Sequence, residues 1–236
     1  MFKIALGAGH GINTEGKRCL RSLDPNETRE WWLNDRICDH VESFLKDYEG
    51  YSLLRLDDSD DGAENVPLAT RTSRANSWGA DFYLSVHHNA GVNGGTGGGI
   101  AAYIHPRASA ASEEWQRALY EALIRHTGLK GNRSQPMTKS DLYVLRKTTM
   151  PAVLLELGFM DSSTDVPIIL SDTYAQKCAK AIVEVIVKRG GLTRKRVEDY
   201  DILYRVQVGA FANKANAERL KTELQGKGYQ AYITRT

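Results

Sequence analysis

Two adjacent histidines, His87 and His88, stand in the run Ser85-Val86-His87-His88-Asn89 of this 236-residue chain. Imidazole is the side chain best suited to bind a metal or pass a proton near neutral pH. The preceding segment, Ala80–Leu84, reads as a buried strand that enters a Gly-rich loop. Side chains alternate along a strand, so at most one of the pair faces a given site. His10 stands in a similar place, just past the apolar run Phe2–Ala8, in Gly9-His10-Gly11. Two carboxylates sit where apolar residues are expected. Glu30 opens a stripe continued by Asn34, Ile37, Val41, Phe44 and Tyr48, which is the inward face of a helix. Glu156 interrupts the apolar strand Met150–Phe159 near its carboxyl end. A buried carboxylate needs a cation or hydrogen bonds to offset its lost hydration.

Two neutral imidazoles and one carboxylate, with one position open, form a catalytic zinc ligand set. A further carboxylate nearby can take a proton from water and give it to a leaving amine. His10, Glu30, His87 and Glu156 supply these types from four separate segments. Spacing alone does not assign the roles among them. Glu27 is a second acid close to Glu30, and only the stripe and the Asn34 spacing favour Glu30.

Elements able to bring these residues together are legible. Phe2–Ala8, Tyr51–Leu56, Ala80–Leu84, Ile100–Ile104 and Met150–Phe159 read as strands. Helices are predicted from Asp24-Pro25 to about Tyr48, over Pro67–Gly79, over Ser112–His126 and over Tyr174–Val187. Strands alternating with helices predict an α/β fold with a twisted, largely parallel sheet flanked by helices. Ligands in such sheets bind beyond the carboxyl ends of the strands, where His10, His87 and Glu156 lie. The segments 91–99 and 127–140 read as a flexible loop and a surface loop framing that end. Arg146 and Asn89 are the candidates for holding substrate.

Composition narrows the class. Lys and Arg number 31 against 29 Asp and Glu, a net charge of +2 that gives no footprint for nucleic acid. No apolar run reaches the ~18 residues of a membrane span. Cys19, Cys38 and Cys178 fit no zinc or disulfide spacing and read as buried apolar groups. The start of the chain lacks the pattern of a secretory signal, so synthesis in the cytoplasm is expected, with access to an outer substrate only after the membrane is breached.

Together these motifs resemble the type 3 family of zinc-dependent N-acetylmuramoyl-L-alanine amidases, which includes autolysins and phage endolysins. The resemblance rests on Gly9-His10, on Glu30 followed by Asn34, on Ser85-Val86-His87-His88-Asn89 and on Pro151-Ala152-Val153-Leu154-Leu155-Glu156-Leu157-Gly158-Phe159. Arg71, Asn76, Asp81 and Leu142–Arg146 also fit, and residues 2–188 are covered. The resemblance implies that His10, Glu30 and His87 hold Zn2+ and that Glu156 is the catalytic carboxylate. It implies hydrolysis of the amide between the lactyl group of N-acetylmuramic acid and L-alanine in peptidoglycan. His88 is then a loop residue or a supporting one. The alternatives are a zinc peptidase cutting within the stem peptide and an inactive peptidoglycan-binding protein. The second is disfavoured because a closed structural site has no use for a spare carboxylate.

The tail is different in kind. Residues 189–200 are basic and Gly-bearing and read as a linker after a catalytic domain of residues 1–188. Tyr204–Phe211, a helix on Ala217, Leu220 and Leu224, and Gln230–Thr234 then read as a small βαβ unit, half of a ferredoxin-like fold. This unit, 201–236, resembles part of a SPOR module, which implies binding to peptidoglycan. Roughly 35 residues bury too little surface to be stable alone, so pairing into a homodimer is one way to complete it.

Overall fold

The structure, a computed structural model, describes residues 1–57, 65–196 and 206–234. The Asp- and Gly-rich turn at 58–64 and the end of the expected linker lie outside the described residues. In chain order the elements are β1 (Phe2–Ala8), α1 (Glu30–Leu45), β2 (Tyr48–Glu49), β3 (Tyr51–Arg55), α2 (Leu68–Trp78), β4 (Phe82–Asn89), β5 (Ile100–Ile104) and α3 (Ala110–Thr127). They continue with β6 (Met137–Lys139), α4 (Tyr143–Arg146), β7 (Ala152–Phe159), α5 (Val166–Ile169), α6 (Asp172–Gly190), β8 (Thr193–Arg194) and α7 (Lys214–Gly226).

Six strands form one sheet in the order β3-β1-β4-β7-β5-β6. β3, β1, β4 and β7 run parallel, while β5 pairs antiparallel with β7 and parallel with β6. The expected largely parallel α/β sheet is therefore present. Alternation along the strands feeds two cores. Leu6, Leu84, Val86 and Leu155 pack on one face with α1, α3 and α6. Ala5, Tyr83, Ala152 and Leu154 pack on the other with Ala75 of α2 and with Val144 and Leu145 of α4. Burial on both faces explains why the central strands read as continuous apolar runs. His87 shares its face with Tyr83, and Glu156 shares the same face with Leu154. His88 points to the α1 side.

Three boundaries differ from expectation. The helix predicted from Asp24 begins only at Glu30. Asp24 caps a turn instead, its carboxylate accepting the N–H groups of Asn26 (3.1 Å) and Thr28 (2.7 Å). Residues 28–30 are drawn straight because Cys19 N–H donates to Thr28 O (2.9 Å) and Glu30 N–H to Lys17 O (3.0 Å). Segment 127–140, read as loop, contains β6. The stretch from residue 189, read as linker, is structured as far as Lys195. There α6 runs to Gly190, β8 pairs with β2, and Arg189 ion-pairs with Glu114 (2.7 Å).

The chain divides into two compact units, Met1–Lys195 and Arg196–Thr236. In the second, α7 forms where a helix was expected, capped by Asn213, whose Oδ1 accepts Ala215 N–H (2.8 Å). Its flanking segments 206–211 and 230–234 carry no strand, so of the expected βαβ unit only the helix is formed among the described residues. α7 buries none of its residues, and strands gain little where no face is covered. No helix among the described residues is long and apolar enough to cross a membrane.

Candidate metal centre

β1 and β4 lie side by side with Ala8 beside Val86, so the residues that leave these strands meet. Gly9 N–H donates to Val86 O (2.8 Å). His10 follows in a left-handed conformation, φ 65°, which costs a non-glycine residue about 1–2 kcal/mol. Arg71 of α2 holds it there. Its buried guanidinium donates to the carbonyls of Ala8 and His10, the latter at 2.9 Å. Glu30 arrives from the other side, at the first turn of α1, with its side chain 1% exposed.

The result is a cluster of His10, Glu30 and His87 whose ligand atoms all lie within 4.8 Å of one another. His10 Nε2 is 3.3 Å from Glu30 Oε2, and His87 Nδ1 is 3.1 Å from Glu30 Oε1. The two imidazoles stand edge to face, centroids 5.1 Å apart. His87 Nε2 is 3.0 Å from Ser85 Oγ, one strand repeat away on the same face.

Glu30 is the informative member. Its Oε1 accepts from His87, from His88 N–H (3.3 Å) and from Asn34 Nδ2 (3.4 Å). Its Oε2 is buried and makes no hydrogen bond of regular geometry, although His10 Nε2 (3.3 Å) and Lys17 Nζ (3.8 Å) lie close. Burial opposes ionisation, but the imidazoles of His10 and His87 beside it hold Glu30 well below the usual carboxylate range. Burial pushes the His87 pKa down, against the hydrogen bond and the negative charge of Glu30. An ionised carboxylate with one oxygen unserved, between two imidazoles, fits a divalent cation of zinc type.

Glu156 stands opposite His87 in register on β7. Its Oε2 is enclosed and without a hydrogen-bond partner. Burial first, and then the negative charge of Glu30, push its pKa up to about 8, against the opposing charges of Lys17 and Arg133. A carboxyl that exchanges its proton near neutrality is suited to acid–base work.

Of the two places expected for His88, loop or support, it takes the second, because β4 runs on to Asn89 and buries it. It is 2% exposed, and its Nδ1 lies 2.8 Å from Asn34 Oδ1. Asn34 in turn donates to Gly9 O (3.1 Å). One amide thus ties the helix, the β1 exit and His88 together. Glu27 is excluded from the site, being turned out to Arg18 at 3.2 Å.

Arg146 is a correction. It ion-pairs with Asp141 (2.8 Å), which also faces His105 (3.2 Å). His105 follows β5, whose Tyr103 lies beside Leu154, so this group sits at the amino end of β7. The metal cluster is at the other end of the sheet. Antiparallel β5 caused the misplacement, since its exit points away from the site. Asn89 uses its Oδ1 locally, accepting Ala90 N–H (2.8 Å). The loop expected to be flexible, 91–99, is tied down: Asp161 Oδ2 accepts the N–H groups of Gly91 (2.8 Å), Val92 (2.9 Å) and Asn93 (2.7 Å). Lys17, 3.8 Å from Glu30, and Arg133, over the Phe159 ring, both carry charge that bears on Glu156; they had no signal in the sequence, because surface-type cations in polar loops are common.

Gly9 makes the packing testable. A Cβ there would fall 2.1 Å from His87 Cε1. Gly9→Ala is expected to displace the His87 ring and weaken zinc binding at least about tenfold, the scale set by disturbed ligand orientation. Competition with a chelating dye measures it; unchanged affinity would mean that His87 does not need its observed position.

Comparison with known proteins places this arrangement. A family model described as N-acetylmuramoyl-L-alanine amidase matches residues 4–188, and a SPOR domain model matches residues 200–236. The chain is 32% identical over 233 residues to the N-acetylmuramoyl-L-alanine amidase CwlM of Bacillus licheniformis, covering 99% of this chain and 85% of that protein. It is also 32% identical over 234 residues to the sporulation-specific N-acetylmuramoyl-L-alanine amidase of Bacillus subtilis (strain 168), covering 99% and 84%. The fold superposes on the catalytic domain of CwlV, an N-acetylmuramoyl-L-alanine amidase from Bacillus (Paenibacillus) polymyxa, with TM-score 0.70 and 24% identity over 80% of this chain and 98% of that one. With its strand exits, its first-turn Glu30 and its sequence all in agreement, the chain belongs to the N-acetylmuramoyl-L-alanine amidase family.

Proposed function

We propose that the protein is a peptidoglycan hydrolase that cleaves the amide between the lactyl carbonyl of N-acetylmuramic acid and L-alanine, with zinc held by His10, Glu30 and His87. The observation that carries this reading is the unserved Oε2 of Glu30 between two imidazoles, with Glu156 opposite His87 on the neighbouring strand. When bound, zinc supplies a Lewis acid that polarises the scissile carbonyl and lowers the proton affinity of nearby groups, Glu156 included.

The remaining work falls to the chain. The Glu156 carboxylate accepts a proton from the attacking water and returns it to the departing L-alanine nitrogen. A C–O bond forms as the C–N bond breaks, leaving a lactyl carboxylate and a free amine. Arg71, by fixing the carbonyls of Ala8 and His10, holds His10 in its strained position. Asn34 and His88 hold Glu30 and the β1 exit in place from behind. Asp161 sets the shape of the loop beside the β4 exit.

The tail is read as a wall-binding segment, in keeping with the SPOR match. The catalytic segment in this reading is residues 1–188. A homodimer through the tail has no support among the described residues.

Digestion of purified peptidoglycan tests the assignment. Mass spectrometry of the fragments is expected to find a free lactyl carboxyl and a new L-alanine amine. Cleavage inside the stem peptide would instead identify a peptidase. Dialysis against a strong chelator is expected to remove activity, and added Zn2+ to restore it, because the two imidazoles and the Glu30 carboxylate are in this reading the ligands of the ion.

A further inference from the structure

Arg133 brings a positive charge to the neighbourhood of Glu156, and its side chain makes no ion pair or hydrogen bond among the described residues. Its place is nonetheless fixed. Gly98 N–H donates to Asn132 Oδ1 (3.0 Å), and a Cβ on Gly131 would fall 2.1 Å from the carbonyl oxygen of Gly98. The Gly-rich loop is itself anchored to β7. Asp165 Oδ2 accepts both Gly99 N–H (2.7 Å) and Phe159 N–H (2.9 Å). The Arg133 guanidinium rests over the Phe159 ring, Cζ 5.5 Å from its centroid.

The register relates the ring under this cation to Glu156. Glu156 pairs with His87 and, after a register irregularity between these pairs, Phe159 pairs with Asn89. Residues 87 and 89 of β4 share a face, so Phe159 lies on the same side as Glu156. A divalent ion on the triad offsets Glu30 and Glu156. Lys17 and Arg133 then leave the mouth positive and ready for an anion. The sugar offers none, because its lactyl carboxyl is consumed in the scissile amide. The peptide offers one if its second residue bears a free carboxylate. That group lies roughly 7 Å beyond the amide, at about 3.3–3.6 Å per extended residue.

We propose that Arg133 is a specificity-determining residue that receives a free carboxylate on the second residue of the stem peptide. This rests on the amidase reading. A planar guanidinium, already oriented by Phe159, pairs both carboxylate oxygens, whereas a carboxamide offers one acceptor and turns its NH2 toward the cation.

The test uses the full chain, zinc-loaded and carrying Glu156→Gln so that ligands survive. Two synthetic muramoyl dipeptides, differing only in a free carboxylate or a carboxamide on the second residue, are titrated by calorimetry. The carboxylate ligand is expected to bind at least tenfold more tightly. Adding Arg133→Ala is expected to erase that preference while leaving the carboxamide ligand's affinity unchanged, and Arg133→Lys to retain part of it. Equal binding of the two ligands, equal loss of both in Arg133→Ala, or binding of neither overturns the proposal. Mass spectrometry of wall digested by the unsubstituted protein reports separately on the bond cut. A preserved preference without lactyl-amide cleavage would remove the amidase reading and leave Arg133 in its role.

Discussion

Glu156→Gln is expected to slow wall lysis by about 10³-fold, the middle of the range for loss of a general acid–base group, while zinc content stays unchanged. Both halves follow from position. Glu156 lies beside the triad on β7 and is not one of its three donors. Glutamine keeps the volume and one acceptor but accepts no proton near neutral pH. The Oε2 of Glu156 has no partner to lose, so the exchange leaves no new unpaired group in the protein. Turbidity loss of purified walls measures the rate, and atomic emission measures the metal. Lysis at the parent rate would show that the proton is carried by another group. Loss of zinc would show that Glu156 is a ligand.

The second large effect separates the paired histidines. His87→Ala removes one of three donors and is expected to abolish zinc retention under a competing chelator, and lysis with it. His88→Ala is expected to keep both, with lysis within about tenfold of the parent, the low end of the losses for groups that support ligands. Its cost appears in stability. His88 is buried and neutral, burial having pushed its pKa down to about 3, and it supplies the partner of Asn34 Oδ1. Its removal leaves a cavity and an unpaired amide oxygen, and is expected to destabilise the fold by about 2–4 kcal/mol. Denaturant titration reads that loss. Equal zinc loss in the two variants would contradict the assignment of the two faces of β4.

Much of this was legible because it depended on short-range pattern. The apolar runs of β1, β4 and β7 marked buried parallel strands, and the polar residues at their ends marked the site. Glu30 was legible because it broke an apolar stripe. The helix start was misread because Asp24-Pro25 is a sound local cap, and the local preference lost to the backbone pairing of Cys19 with Thr28 and of Glu30 with Lys17. The tail strands were read from alternation alone, which states a preference for pairing and not a partner.

Periodicity and residue type by themselves determined that this chain folds as a largely parallel α/β sheet, that His10, His87 and Glu156 stand at its strand exits, and that Glu30 opens a helix able to meet them. Tertiary structure decided the rest. It set Lys17 against Glu30 and Arg133 over Phe159, placed Arg146 at the far end of the sheet, and made His88 a core group. Each of these depends on strand direction or on how a loop crosses a neighbour. Such contacts join residues far apart in sequence, and no local pattern encodes them. The adjacent histidines sum up the division: the period of two dictated that they part, and the packing of α1 against β4 shows His87 joining His10 and Glu30 while His88 holds the helix.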